Sequence, residues 1–320
     1  MKKITIILFV IFCYSISYSQ EKSQKKCGYL FTTVKELPVT SVKNQSSSGT
    51  CWSFSTLSFI ESELIRTGKG DFDLSEMFVV HNSYYDKADK YIRTHGNINF
   101  APGSCSGDVF TVWKNYGIVP EEIMSGLNYG TKTHVHKEMD MVLSAYISAL
   151  LKKPNGKYTT AWKQGFNGIL DAYLGEIPQR FSYKGKEYTP LTFSKELSFE
   201  PDNYIPLTSF THHPFYQQFA LEIPDNWRWD KYYNIPIEEL MEIVDSALDK
   251  GYTVLWAADV SEKGFDRKGI AIIPETEVSN MIGSDQAKWT GMPKNELESK
   301  LYSLEQIVPE RTITQEERQI

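Results

Sequence analysis

Residues 42–59 read VKNQSSSGTCWSFSTLSF and lead from a polar loop directly into an amphipathic segment. The loop, Asn44–Thr50, is rich in serine and contains Gly49. After it, apolar side chains recur at the 3.6-residue spacing of a helix, which predicts a helix over residues 51–67 that ends at Gly68. Cys51 would then lie in the first turn, where oriented backbone N–H groups stabilise a thiolate.

The neighbours of Cys51 are those that an acyl-transfer nucleophile needs. Gly49 lets the loop backbone approach closely. Gln45 lies six residues before Cys51 and carries an amide that can join the backbone N–H of Cys51 in binding an oxyanion. A buried cysteine at a helix start is more often structural, but the combination of Gln45, Gly49, Cys51 and Trp52 favours a nucleophile.

The composition is that of a folded chain with an acidic balance. Of its 320 residues, 41% are hydrophobic and 13% aromatic, which is enough for a packed core. The formal net charge is -6 and no basic stripe is visible, so the sequence argues against nucleic acid as the main partner.

The N-terminus has the pattern of an export signal. Lys2 and Lys3 precede an apolar run over Ile4–Ile16, and small residues follow at Ser17 and Ser19. The pattern predicts a signal peptide over residues 1–20 and a periplasmic or extracellular protein. The apolar run is too short for a stable membrane span, and an uncleaved anchor is the alternative.

Removal of the signal would leave Cys27, Cys51 and Cys105. An odd number of cysteines in an oxidising compartment indicates a free thiol. A Cys27–Cys105 disulfide and two unpaired buried cysteines both remain open.

The rest of the chain predicts an α+β fold in one domain over residues 21–320. Its parts are a helical lobe over about 36–130, a helical insertion over about 131–176 and a mixed α/β lobe over about 177–320. The pattern predicts further helices from the Asp73–Ser75 cap to Ile92, over Gly107–Tyr116, His134–Leu151 and Thr160–Leu174, and from Pro236 to Gly251, and a buried strand over Thr253–Ala258.

Three stretches carry a resemblance to a known family: NQSSSGTCWSFS at 44–55, DLSEMFVV at 73–80 and GSCSGDVFTVWKNYGIVPEE at 103–122. They resemble papain-like cysteine peptidases. The insertion and the run YYNIPIEELMEIVDSALDKGYTVLWAADVSEKGF at 232–265 resemble the bleomycin hydrolase/aminopeptidase C branch. The family often has a disulfide cysteine at the position that Ser48 occupies here.

The resemblance implies a papain-like two-lobe fold and hydrolysis of a peptide or protein substrate through a thioester on Cys51. It implies Gln45 in the oxyanion hole and no cofactor or metal. The substrate-binding positions that it implies are Trp52, Gly49, Ala258 and Asp259.

A papain-like thiolate also needs a histidine base oriented by an asparagine. His213 and its neighbour His212 come nearest to the family spacing, so His213 is the candidate base within the chain. Its context is poor, because Pro214 and Phe215 follow it and no Asn-Ser-Trp-Gly segment occurs.

The family order places the expected base beyond residue 273, yet residues 274–320 contain no histidine. A capping box formed by Thr314 and Glu317 also predicts a helix that starts at Thr314 and is barely past its second turn at Ile320. We therefore expect the catalytic His and Asn beyond Ile320; a frayed terminus is the alternative for the capping box. His134 and His136 are expected on a solvated helix face, where alternating side chains do not converge on a metal.

The competing hypothesis is a catalytically inactive peptide-binding protein on a papain-like scaffold. A disulfide oxidoreductase is excluded by the lack of a Cys-x-x-Cys motif. Trp227 and Trp229 are predicted as core aromatics, with a cleft wall as the alternative. Substrate specificity, endo- or aminopeptidase action and the oligomeric state stay open.

Overall fold

The structure is a computed structural model that describes residues 32–152 and 157–258, together with the backbone of residues 265–266 and 270–271. Lys35–Ala258 fall within one compact unit. The predicted signal peptide, Cys27, Asp259 and the capping box at Thr314 lie outside the described residues. No helix among the described residues is long and apolar enough to span a membrane.

Helices dominate the first half of the described chain, and short strands appear in the second half. This order agrees with the predicted α+β class. The helices are α1 Cys51–Arg66, α2 Glu76–Arg93, α3 Ser106–Tyr116, α4 Lys137–Leu151, α5 Ala161–Leu174, α6 Pro190–Leu197 and α7 Ile237–Asp249, with a 3-10 turn at Pro201–Asn203.

The helix boundaries follow the sequence signals. Ser75 caps α2, because its side-chain oxygen accepts a hydrogen bond from the backbone N–H of Phe78 at 3.0 Å. Gly117 follows α3 with a φ of 85°, a conformation that glycine adopts without steric cost. The helices predicted around residues 51, 76, 106 and 237 are all present within a few residues of their expected ends.

The strands form three small sheets. β1 and β2 pair as an antiparallel hairpin, and β5 pairs in parallel with β3 and antiparallel with β4. β6 and β7 form a separate antiparallel pair. Their bounds are β1 Phe181–Tyr183, β2 Lys186–Tyr188, β3 Leu207–Thr208, β4 Gln217–Ala220, β5 Lys231–Asn234, β6 Phe265–Asp266 and β7 Ile270–Ala271.

The prediction of a buried strand over Thr253–Ala258 is wrong for the described structure. The segment makes no strand pairing there, and Trp256 is 72% exposed. The apolar run resembles a buried strand in sequence, but a strand also needs a neighbour that accepts its backbone hydrogen bonds.

The core lies among the first five helices. Helix α2 contacts α1, α3, α4 and α5, which explains why it is buried on more than one face. Apolar side chains from these helices interdigitate, and α6 with the β1–β2 hairpin closes the cluster. This packing holds the N-terminus of α1, and therefore Cys51, at a fixed place on the surface.

Candidate active site

The loop before α1 is tightly folded. Ser46 and Gly49 both have left-handed backbone conformations, with φ of 51° and 67°. The Asn44 side chain accepts a hydrogen bond from the Ser46 N–H at 2.8 Å, and the Ser48 and Thr50 hydroxyls are 2.5 Å apart. These local bonds fix the loop with little help from regular structure.

Cys51 is the first residue of α1 and its thiol is free and exposed. Its backbone N–H belongs to the first turn, whose donors have no partner within the helix. The first turn contains no acidic residue that would oppose a thiolate. Cys51 therefore combines solvent access with the positive end of a helix dipole.

Gln45 is half-buried and presents its carbonyl end to the interior. Its Oε1 atom is buried and makes no hydrogen bond to another described residue. The opposite end of the same amide carries the two N–H donors. This orientation suits a side chain that supplies a donor to an oxyanion, the role predicted for Gln45.

A second loop supports the start of α1 from behind. The indole Nε1 of Trp52 donates to the Pro102 carbonyl at 3.0 Å, and Trp52 is buried. A Cβ atom placed on Gly49 would lie 3.0 Å from the Pro102 Cβ. Gly49 and Trp52, predicted as substrate-binding positions, thus both pack on Pro102.

Lys87 holds this second loop in place. It lies on α2, is 1% exposed, and donates from Nζ to the carbonyls of Ala101 at 2.8 Å and Gly103 at 2.6 Å. Burial lowers the pKa of Lys87 to about 8, although nearby carboxylates oppose this effect. The sequence offered no signal for this role, because a lysine within a helix normally faces solvent.

His134 and His136 are buried rather than solvated, which corrects the expectation for them. Helix α4 starts only at Lys137, and the two histidines flank Val135, which forms an isolated bridge with Ser47. The Ser47 N–H donates to the His134 carbonyl at 3.0 Å, and the His136 N–H donates to the Ser47 carbonyl at 3.1 Å. Residues 134–136 therefore brace the loop before α1.

The rings of these histidines are kept neutral by their surroundings. His134 packs edge-on against Phe54, with ring centroids 5.8 Å apart. Burial, and then the neighbouring His134, lower the pKa of His136 to about 4, while the Ser48 backbone opposes the shift. Both ring nitrogens of His136 are buried without a hydrogen bond of good geometry among the described residues.

A partly buried charge cluster anchors the chain just before the loop. Lys43 Nζ lies 2.6 Å from Glu61 Oε1 and 2.5 Å from Asp73 Oδ1. Burial raises the pKa of Glu76 to about 7, against the attraction of Lys43, and raises that of Glu121 to about 8. One lysine thus faces more carboxyl groups than it can neutralise.

Cys105 is a free thiol of a different kind. It directly precedes α3, and it is buried. Burial raises its pKa to about 11; a hydrogen bond from Tyr232 opposes the shift, and Asp108 and Asp225 add to it. Cys105 is a free, buried thiol in the described structure, whereas Cys27 lies outside the described residues, so the two alternatives for this pair of cysteines both stay predictions.

The remaining predicted positions lie apart from these contacts. His213 stacks on Phe219, with ring centroids 4.0 Å apart, and its Nε2 is 3.2 Å from Glu222 Oε2. The interactions described for His213 do not include Cys51. Ala258 is exposed at the end of its described segment. Of the two aromatic predictions, Trp227 is buried as expected, whereas Trp229 is 57% exposed.

Comparison with known proteins relates the chain to a peptidase family. Residues 31–157 match the family described as papain family cysteine protease. The chain is 25% identical over 272 residues to aminopeptidase G of Lactobacillus delbrueckii subsp. lactis, covering 73% of this chain and 62% of that protein. It is 23% identical over 299 residues to aminopeptidase C of the same organism, covering 78% and 65%.

A solved structure has the same fold. The crystal structure of PepW from Lactobacillus rhamnosis HN001 matches with a TM-score of 0.57 and 20% identity, covering 70% of this chain and 60% of that one. The predicted papain-like α+β class is confirmed by this likeness. The chain spans 62% of aminopeptidase G and 65% of aminopeptidase C.

Proposed function

Residues 31–157 of this chain belong to the papain family of cysteine proteases, and on that premise we propose that the protein is a cysteine peptidase with Cys51 as its nucleophile. The observation that carries the proposal is an exposed thiol at the first residue of α1, behind a loop that includes Gln45. The similarity to aminopeptidases G and C supports a peptide substrate.

In the proposed reaction, the Cys51 thiolate attacks the carbonyl carbon of the scissile bond. The carbonyl oxygen becomes an oxyanion, which the backbone N–H of Cys51 and the side-chain amide of Gln45 hold by hydrogen bonds. Collapse of this intermediate breaks the C–N bond, and an imidazolium gives its proton to the leaving amine. Water then hydrolyses the thioester and releases the free thiol and a carboxylate.

We assign the imidazole and its orienting asparagine to residues beyond Ile320. This assignment is supported by the positions of the described histidines. His81 pairs with Asp171 at 2.8 Å. His134 and His136 are buried with lowered pKa values, His212 and His213 lie beside Glu222, and His95 is exposed just after α2.

We propose aminopeptidase action, because the curated relatives that match the chain carry that name. The test uses the full protein, with any coding sequence that follows residue 320, and substrates with free or blocked amino termini. We expect the free-amino substrates to be cleaved at least about tenfold faster. Equal cleavage of blocked and free-amino substrates would indicate endopeptidase action instead of aminopeptidase action. The assignment of Cys51 as the nucleophile would still stand.

The nucleophile is tested in the same assay by Cys51→Ala. We expect a loss of at least about 10³-fold in kcat, since removal of a catalytic nucleophile costs up to about 10⁶-fold in a well-studied peptidase. Cys105→Ser is the matched control and should keep activity, because serine is a good residue before a helix. Peptide binding without turnover in the parent protein would instead favour an inactive binding protein.

Export is a separate part of the proposal, and it rests on the signal pattern of residues 1–20. We expect the secreted or periplasmic protein to begin near Gln20 or Glu21. Amino-terminal sequencing of the mature protein tests this, and retention of Met1 would contradict it.

A further inference from the structure

Two adjacent histidines in the loop between β3 and β4 converge with a glutamate that lies two residues beyond β4. His212 Nε2 lies 2.8 Å from Glu222 Oε2, and His213 Nε2 lies 3.2 Å from the same oxygen. All three candidate ligand atoms lie within 4.8 Å of one another. The cluster is distinct from the residues around Cys51 and does not depend on the proposed peptidase function.

Convergence of neighbouring histidines is unusual for a polypeptide. In an extended chain, successive side chains point to opposite sides. Here the ring centroids of His212 and His213 are only 4.5 Å apart, and the ring planes are inclined by 52°. A turn at Thr211–His212 brings both rings to the same side of the loop.

Asn234 fixes this turn from within. It is fully buried on β5, and its Nδ2 donates to the carbonyls of Phe210 at 2.8 Å and His213 at 2.9 Å. Its Oδ1 accepts the Phe210 N–H at 2.8 Å. One side chain therefore holds the backbone on both sides of His212, so the loop shape is set before any ligand arrives.

Aromatic contacts orient the rings. His213 stacks on Phe219 at an interplanar angle of 22°, and His212 packs edge-on against Phe210 with ring centroids 5.4 Å apart. His213 Nε2 is buried and, despite its closeness to Glu222, makes no hydrogen bond of good geometry within the described residues. The Nε2 atom of His213 therefore faces the Glu222 carboxylate but forms no hydrogen bond of good geometry with it.

We propose that His212, His213 and Glu222 bind a divalent transition-metal ion of the zinc type. Two imidazole nitrogens and one carboxylate oxygen form a donor set that Zn²⁺ prefers, and water would complete a tetrahedron. Bonds of about 2.0–2.2 Å would place the ligand atoms about 3.3 Å apart, a small adjustment from the present spacing. The ion would join the β3–β4 loop to the residue that follows β4.

The proposal departs from the sequence, which predicted no metal. His212 and His213 lie on one side of the loop because of the turn and the hydrogen bonds of Asn234. Neither feature can be inferred from two adjacent histidines in a sequence. The expected consequence is a local cross-link that stiffens the loop.

The test is calorimetric titration of ZnCl₂ into the full protein carrying Cys27→Ser and Cys51→Ser, so that neither thiol competes for the ion. We expect one ion per chain, a rise in Tm with zinc, and loss of at least about tenfold in affinity with Glu222→Gln. This substitution is isosteric at an exposed site, so it should leave the fold intact. His213→Ala should weaken binding at least as much.

The matched control is His95→Asn, which removes an exposed histidine at a left-handed position that asparagine tolerates. It should leave zinc affinity within about twofold, because His95 is not among the clustered ligands. Absence of one-to-one binding, or binding that is unchanged in both Glu222→Gln and His213→Ala, would overturn the proposal. A Co²⁺ complex with the intense visible bands of tetrahedral geometry would support it.

Discussion

Cys51 is the first residue of α1, and Cys105 directly precedes α3. Both thiols therefore meet the positive end of a helix dipole. Cys51 is exposed, whereas Cys105 is buried with a pKa raised to about 11 by its burial. The comparison teaches that a helix start alone does not create a nucleophile. Cys51 is exposed and the first turn of α1 contains no acidic residue, whereas Cys105 is buried and Asp108 lies in the first turn of α3.

The largest expected effect concerns Gln45, which we propose as the amide donor to the oxyanion. Gln45→Ala should lower kcat by about 10²–10³-fold, the usual cost of one oxyanion donor. Steady-state kinetics on the full protein measures this. Gln45→Glu keeps the size of the side chain but places a carboxylate beside the oxyanion, so it should be at least as damaging. An alanine variant that retains kcat within about threefold would remove Gln45 from the site.

Lys87 links the two regions, since it holds the loop behind Cys51 and interacts electrostatically with Cys105. Lys87→Met should lower the free energy of unfolding by about 2–4 kcal/mol, because two buried carbonyls lose their donor. Chemical denaturation measures the change. The control Lys114→Met removes an exposed ion pair with Asp202 and should cost less than about 1 kcal/mol. An equal loss of unfolding free energy in Lys87→Met and Lys114→Met would show that the hydrogen bonds from Lys87 to the loop carbonyls do not contribute to stability.

The next prediction concerns the protonation of Glu121 in the charge cluster that precedes the loop Asn44–Thr50. Its pKa is raised to about 8 by burial, so the folded state holds a proton that the unfolded state has lost above about pH 4.5. The contribution of Glu121 to stability is therefore full below pH 4.5 and is lost as pH rises to about 8.

Glu121→Gln should accordingly stabilise the protein above pH 8, by about 2 kcal/mol once coupling to Glu76 is allowed for, and leave it nearly unchanged at pH 5. Urea unfolding across this pH range measures the difference. Glu122→Gln, at an exposed neighbouring position, is the control. A Glu121→Gln curve parallel to that of the parent protein would contradict the assignment.

The smallest expected effect concerns loop shape. Gly49→Ala should lower the free energy of unfolding by about 1–2 kcal/mol, because alanine is strained at a φ of 67° and its Cβ would press on Pro102. Gly68→Ala is the matched control, with a φ of 75° and open space around it. Only Gly49→Ala should also reduce kcat, by about tenfold through displacement of Cys51. An equal kcat in Gly49→Ala and Gly68→Ala would show that the shape of the loop before α1 does not affect catalysis.

Local signals predicted much of the fold and the position of Cys51 at the start of a helix. The helical periodicity after Cys51, the Ser75 cap and the glycine after α3 act within a few residues, and they gave the helix ends. The strand expected at Thr253–Ala258 failed because pairing depends on a distant neighbour. His134 and His136 were misplaced because α4 starts later than the apolar pattern suggested.

Long-range contacts explain what the sequence could not supply. Lys87 lies in a charged, helical stretch that reads as a solvated face, yet it is buried against the carbonyls of another loop. The convergence of His212 and His213 depends on Asn234, more than twenty residues away along the chain. Such roles become visible only when separated segments are brought together.

The central claim is that Cys51 is the reactive thiol of this protein. The most direct measurement is intact-mass analysis after treatment with an epoxysuccinyl thiol reagent, followed by peptide mapping. We predict one adduct per chain on Cys51, none on Cys105, and no adduct in Cys51→Ala, while Cys105→Ser labels like the parent protein. Unchanged labelling of Cys51→Ala, or an adduct on Cys105, would contradict the claim.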